Sequence, residues 1–219
     1  SHDAISGVRN GADVLLKSVF LMVGGRTGLI VFGLLLVGTG ALFVIRDWKR
    51  AGPPRGQLFL RMAAESVGYA LVFGLVAGML TVLLLRGPGA FTSFVLSIQQ
   101  EGGGVTMTQL PVPTQLMISL GAGLYEELLF RVLMVGSLAW LGRYWGWSPL
   151  MAGVFATIVG ALIFSAFHYI GPYGDVLQLS SFTFRAIAGV LFSALYLLRG
   201  FGITAWTHAL YDVFLTVGF

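Results

Sequence analysis

Thr27–Ile45 and Ser66–Leu85 run for 19 and 20 residues without a single charged side chain. At a rise of 1.5 Å per residue, a helix of that length covers about 30 Å, the thickness of a bilayer's hydrocarbon core. Backbone amides find no water in that layer, so the chain must satisfy them internally, as a helix does. The remainder of the sequence leans the same way, with 57% hydrophobic residues, 10% charged residues and a mean hydropathy of +0.88 over 219 residues. These values lie outside the range of soluble domains. The fold class read from them is an all-α, polytopic transmembrane helical bundle, with residues 1–219 forming one integral membrane domain and no internal repeat.

Six spans are expected. The two charge-free runs are joined by Arg46–Arg61, a turn segment containing Gly52-Pro53-Pro54 and five of the thirteen basic residues. The positive-inside rule places it in the cytoplasm. The net charge of +4 arises partly from this segment, so no broad nucleic-acid face is indicated. Ala12–Gly25, interrupted by Lys17, is an interfacial helix or an extension into the first span. Arg86–Pro113, with Gly102-Gly103-Gly104, is a long outer loop. Further spans follow at about Gln115 to Leu141, Trp147–Ile170, Leu177–Leu198 and Phe201–Phe219, with the loop Gly171–Ser180 outside and basic turns at Arg143 and Arg199 inside. Against the rule, this orientation leaves Arg9, Lys17 and Arg26 outside.

Ionisable residues inside the spans are the chemical signal, because each costs roughly 2.5–3.5 kcal/mol at the bilayer centre. Residues four apart share a helix face, and three pairs use that spacing: Glu127 with Arg131, Phe164 with His168, and His208 with Asp212. Glu127 and Arg131 read first as a structural ion pair. Phe164 can wall one side of the His168 imidazole, and Asp212 can orient His208 and fix its tautomer. Glu126, rotated about 100° from Glu127, lacks an evident local partner. A buried Glu and a His converging on one water make a general-base pair, and a second His can donate to a developing oxyanion. That constellation describes acyl hydrolysis by activated water, with Ser165 as a nearby hydroxyl to be weighed as nucleophile. Arg185 reads as a snorkelling residue or a partner of Asp175, and His208–Asp212 taken alone reads equally as interhelical glue.

Cysteine is absent, which excludes disulfides and thiolate metal sites. Two His and two carboxylates on neighbouring helices leave zinc or iron as a minority reading. The sequence contains neither H-E-x-x-H nor a paired E-x-x-H, so no cofactor is expected.

The order Glu126-Glu127-x-x-x-Arg131, Phe164-x-x-x-His168, His208-x-x-x-Asp212 resembles the CPBP family of intramembrane proteases, which includes the CAAX prenyl endopeptidases and bacteriocin-processing and immunity-type proteins. The resemblance covers about the last hundred residues, within 115–219. It implies a glutamate-dependent, metal-free endopeptidase in which Glu126 and His168 hold and activate water, His208 and Asp212 stabilise the oxyanion, and Glu127 and Arg131 shape the site. The family's third motif often ends in Asn. An ionised Asp212 cannot donate a hydrogen bond, so orienting His208 is the role that fits it better.

The function expected is therefore an intramembrane glutamic endopeptidase acting on a membrane-anchored or exported protein, with membrane lipids as its other partners and no nucleic acid. Its expected location is a bacterial inner membrane, the site facing outward. The alternatives are a non-enzymatic scaffold or immunity-type protein, and a transporter relaying protons through Glu126 and His168.

Overall fold

A computed structural model describes residues 11–52, 55–87, 112–170 and 175–217. The sequence readings at Arg9, Pro53-Pro54, Gly102–Gly104 and the first part of the 171–180 loop lie outside these residues. Six helices make up the described chain, and no strand occurs among those residues. They are α1 (Gly11–Ala51), α2 (Gly56–Arg86), α3, α4 (Pro149–Phe167), α5 (Leu179–Arg199) and α6 (Phe201–Val217). The third is one continuous rod of three segments: α-helical Val112–Glu126, π-helical Glu127–Val135 and α-helical Gly136–Tyr144.

Each of the six spans read from the sequence corresponds to a helix. Among the described residues, four stretches are long and apolar enough to cross a membrane: Gly24–Arg50, Gly56–Arg86, Pro149–Phe167 and Leu179–Arg199. The other two helices are α3, which carries the carboxylates, and the 17-residue α6. Ala12–Gly25 forms the N-terminal limb of α1, set off by a break at Gly25, whose φ of 55° suits a residue without Cβ.

Helix ends follow local chemistry. Ser148 Oγ accepts the Met151 amide at 3.2 Å and Pro149 occupies the first turn, so α4 starts with a capped N-terminus. At the end of α5, Gly200 adopts a φ of 85° and its amide returns to the Tyr196 carbonyl, turning the chain directly into α6. This tight turn is clamped to α2 by Arg199, whose Nε donates to Glu65 Oε1 at 2.6 Å and whose Nη2 donates to Oε2.

The buried set is what a bilayer selects. Ala77, Ala152, Ala156, Ala161, Ala205 and Ala209 are enclosed between helices, as are Ser66, Ser165, Ser193 and Thr204. Large aliphatics face outward, with Leu84, Leu150 and Leu198 more than 70% exposed. With hydrocarbon on both sides of a contact there is no hydrophobic gain from burying Leu, so small residues that allow close approach occupy the interfaces. The most extensive contacts join α3 with α6, α4 with α5, and α2 with α6. These contacts carry the three polar motifs into one interior.

Candidate active site

Glu127 and Arg131 are fully buried within the π-helical segment of α3. Their side chains approach with Arg131 Nε 3.1 Å from Glu127 Oε2. The contact is an ion pair without hydrogen-bond alignment, and among the described residues neither terminal nitrogen of Arg131 has a hydrogen-bond partner. Aromatic faces replace those partners: the guanidinium carbon lies 4.6 Å from the Phe164 ring centroid and 5.6 Å from that of Phe192. A flat, delocalised cation suits this slot in a way that an ammonium does not.

The other oxygen of Glu127, Oε1, lies 2.8 Å from His208 Nδ1 across the α3–α6 contact. A carboxylate only accepts, so Nδ1 carries the hydrogen in this bond. The His208 ring also stacks on Phe192, with centroids 4.5 Å apart and planes at 22°, and Phe192 in turn stacks on Phe73 at 3.9 Å. One carboxylate therefore joins the first and third motifs, and an aromatic column from α2 through α5 holds the imidazole flat.

His208 Nε2 points to two further carboxylates, Asp212 Oδ2 at 3.7 Å and Glu126 Oε2 at 3.9 Å. The sequence reading assigns orientation of His208 to Asp212; the hydrogen bond to the ring belongs to Glu127, on the neighbouring helix. Both contacts from Nε2 exceed hydrogen-bond length.

His168 caps the C-terminus of α4. Its Nδ1 lies 2.9 Å from the Phe164 carbonyl, and its ring meets the Phe164 ring edge-on at 4.9 Å. Donation from Nδ1 to that carbonyl leaves the Nε2 lone pair as an acceptor. No hydrogen bond or ion pair joins Glu126 to His168 among the described residues. The second motif meets the first through Phe164, whose ring touches both His168 and the Arg131 guanidinium.

Exposure is graded along the site. Glu126, Glu127 and His208 are buried, whereas His168 and Asp212 are partly exposed and lie toward the same ends of their helices. Ser165 is fully buried and donates its hydroxyl to the Phe182 carbonyl at 2.7 Å, so that group is committed to joining α4 to α5. Arg185 pairs with Asp175, as expected, and covers the Tyr169 ring at 5.1 Å. The Asp175 amide also donates to the His168 carbonyl at 2.9 Å. Among the described residues, no three His, Asp or Glu side chains form a set that could hold a metal ion.

Two contributors escape the sequence reading. Gly123, one turn before Glu127, faces the Ala209 backbone so closely that an added Cβ would lie 2.5 Å from the Ala209 nitrogen. Its missing side chain lets α6 bring His208 within reach of both glutamates. The sequence signal was a small residue on the carboxylate face of the span. Phe192 carries no such mark among 17 phenylalanines.

Residues 108–214 match the family described as type II CAAX prenyl endopeptidase Rce1-like. No curated protein and no solved structure matches the chain. The matched span includes every one of the motif residues from Glu126 to Asp212, and the helices that hold them form an apolar bundle suited to a bilayer. By its motifs and by that match, the segment 108–214 is similar to the Rce1-like CAAX prenyl endopeptidases of the CPBP family, a family of membrane-embedded proteases.

Proposed function

We propose that the chain is a glutamic intramembrane endopeptidase that cleaves a peptide bond in or next to the membrane anchor of its substrate. The observation carrying this reading is the unequal engagement of two adjacent carboxylates. Glu127 is bound at both oxygens, by Arg131 and by His208, while Glu126 faces His208 Nε2 across 3.9 Å. A water held among Glu126, Asp212 and Nε2, or drawn toward His168, meets a base inside a low-dielectric enclosure.

In the proposed reaction Glu126 takes a proton from that water as the oxygen attacks the scissile carbonyl carbon. The tetrahedral intermediate then collapses, and Glu126 returns the proton to the leaving amine. His168, with Nδ1 spent on Phe164, offers Nε2 as a second acceptor for the water. An oxyanion role for His208 requires the doubly protonated ring, because its Nδ1 hydrogen is engaged by Glu127 and only a protonated Nε2 can donate. Asp212 supports that form of the ring, and Glu127 with Arg131 fixes its position. None of these steps uses a metal.

Orientation follows from charge. Helices alternating in direction along the chain put the ends near Ala51, Gly56, Tyr144 and Arg199 on one side, and with them Arg46, Lys49, Arg50, Arg55, Arg61, Arg143 and Arg199. That side reads as cytoplasmic, so the Asp212 and His168 end opens outward. An outward site suits a membrane-anchored or exported protein, including one with a C-terminal sorting tail, in a bacterial inner membrane.

The test compares membrane and secreted proteins from cells carrying wild-type protein or Glu126→Gln, followed by cleavage of the accumulating precursor with purified enzyme. One precursor is expected to accumulate. Purified Glu126→Gln should fail to cut it while unfolding at the wild-type temperature, and wild-type cleavage should survive EDTA and phenanthroline. Cleavage by Glu126→Gln at the wild-type rate refutes the mechanism.

A further inference from the structure

The face of α3 opposite the glutamates borders an apolar cavity of about 800 Å³. Gly121, Leu124, Tyr125, Leu128 and Val132 line it, and this spacing of three and four residues defines one helix face. Glu127, Phe130 and Arg131 lie on the other, turned into the bundle. The facing wall belongs to α1, where Gly40 contributes no side chain. A Cβ added at Gly40 or Gly121 would meet no atom within 4 Å, so both glycines widen the space.

In a bilayer, an apolar space of this volume takes hydrocarbon, since it offers water few hydrogen-bonding partners. One end of the cavity is marked by Asp47, Trp48 and Gly52, at the segment that carries the basic cluster. A Trp at that depth matches the headgroup level. Asp47 is the charged residue of the lining itself, and the segment beside it carries Arg46, Lys49, Arg50 and Arg55, all exposed and long enough for Arg50 and Arg55 to reach a headgroup at this level. Such an excess of cations beside an apolar slot complements a phosphate attached to an acyl chain.

We propose that this cavity binds an anionic phospholipid, with an acyl chain along the outer face of α3 and the phosphate at the Arg50–Arg55 mouth. The lipid then packs on the back of the helix that carries Glu126 and Glu127, separate from the site of hydrolysis.

The test is native mass spectrometry of the purified full chain with phosphatidylglycerol, phosphatidylcholine or diacylglycerol, with thermal unfolding measured in parallel. One phosphatidylglycerol per chain is expected to survive activation that strips the other two, and to raise Tm. Gly121→Leu, and independently Gly40→Leu from the opposite wall, should reduce bound phosphatidylglycerol at least tenfold and abolish the Tm rise. Arg50→Gln with Arg55→Gln should bring phosphatidylglycerol and phosphatidylcholine to parity. Glu126→Gln should bind like wild type, which separates this site from the catalytic reading. Equal retention of the three lipids by wild type overturns the proposal. So does undiminished lipid in folded Gly40→Leu or Gly121→Leu; if those variants also lose cleavage of the precursor, the cavity admits substrate instead.

Discussion

Replacing Gly123 by Ala adds one methyl group to the buried contact between α3 and α6, and the expected consequence is out of proportion to its size. Helix propensity alone favours the change by roughly 1 kcal/mol. The geometry opposes it. The new Cβ would stand 2.5 Å from the nitrogen, 2.7 Å from the Cα and 2.8 Å from the Cβ of Ala209, none of them the end of a flexible side chain. Reaching the 3.4 Å of ordinary contact moves α6 away by about 0.9 Å. His208 is the next residue, so its 2.8 Å bond to Glu127 lengthens to about 3.7 Å, beyond hydrogen-bond range. Overpacking of this kind costs about 1–3 kcal/mol, and losing a buried bond to a charged group costs about as much again. A misplacement near 1 Å lowers catalysis by about 10²-fold. The assay is cleavage of the precursor identified with Glu126→Gln, alongside thermal unfolding in detergent. Gly121→Ala is the matched control, because a Cβ there meets nothing within 4 Å. Wild-type cleavage by Gly123→Ala, or an equal loss in Gly121→Ala, refutes the close-approach argument.

Other substitutions separate the roles of neighbouring groups. Ser165→Ala should retain cleavage and lose about 1 kcal/mol of stability, because its hydroxyl serves the Phe182 carbonyl; a loss of cleavage beyond 100-fold at unchanged Tm would restore a serine nucleophile. Glu127→Gln should behave unlike Glu126→Gln, destabilising by about 3–5 kcal/mol because it leaves the buried Arg131 charge without its partner, and equal Tm values for the two variants would contradict the division of labour. This 219-residue chain lacks cysteine, so single cysteines introduced into it report orientation without background. Val176→Cys should react with a membrane-impermeant maleimide in intact spheroplasts and Arg143→Cys only after lysis, and the reverse pattern would invert the proposed topology.

The parts legible in the sequence were those governed by spacing along one helix. Charge-free runs gave the spans, and separations of four placed Glu127 beside Arg131 and Phe164 beside His168. Relations between helices were not legible, since register across a contact is set by packing that no single segment records. The bond from Glu127 to His208 links residues 81 positions apart. The π-helix is equally hidden: Glu127–Val135 reads ELLFRVLMV, with no Gly or Pro to mark a change of pitch. Gly123 is one of 31 glycines, and only the proximity of Ala209 distinguishes it from Gly121.

The two ring nitrogens of His208 explain why adjacent carboxylates can hold different positions in one site. Nδ1 lies at the closed end, bonded to Glu127, which is paired in turn with an Arg131 guanidinium set against two aromatic faces. Nε2 lies at the open end, with Glu126 and Asp212 both beyond direct bonding distance and Asp212 partly exposed. Glu126 is the last residue of an α-helical segment and Glu127 the first of a π-helical one, so the change in winding falls between them, a placement frequent at functional sites. The result is a single imidazole fixed at one end and available at the other. Such an arrangement gives a purely structural ion pair no use for the second carboxylate, whereas hydrolysis needs a carboxylate that the framework has not consumed.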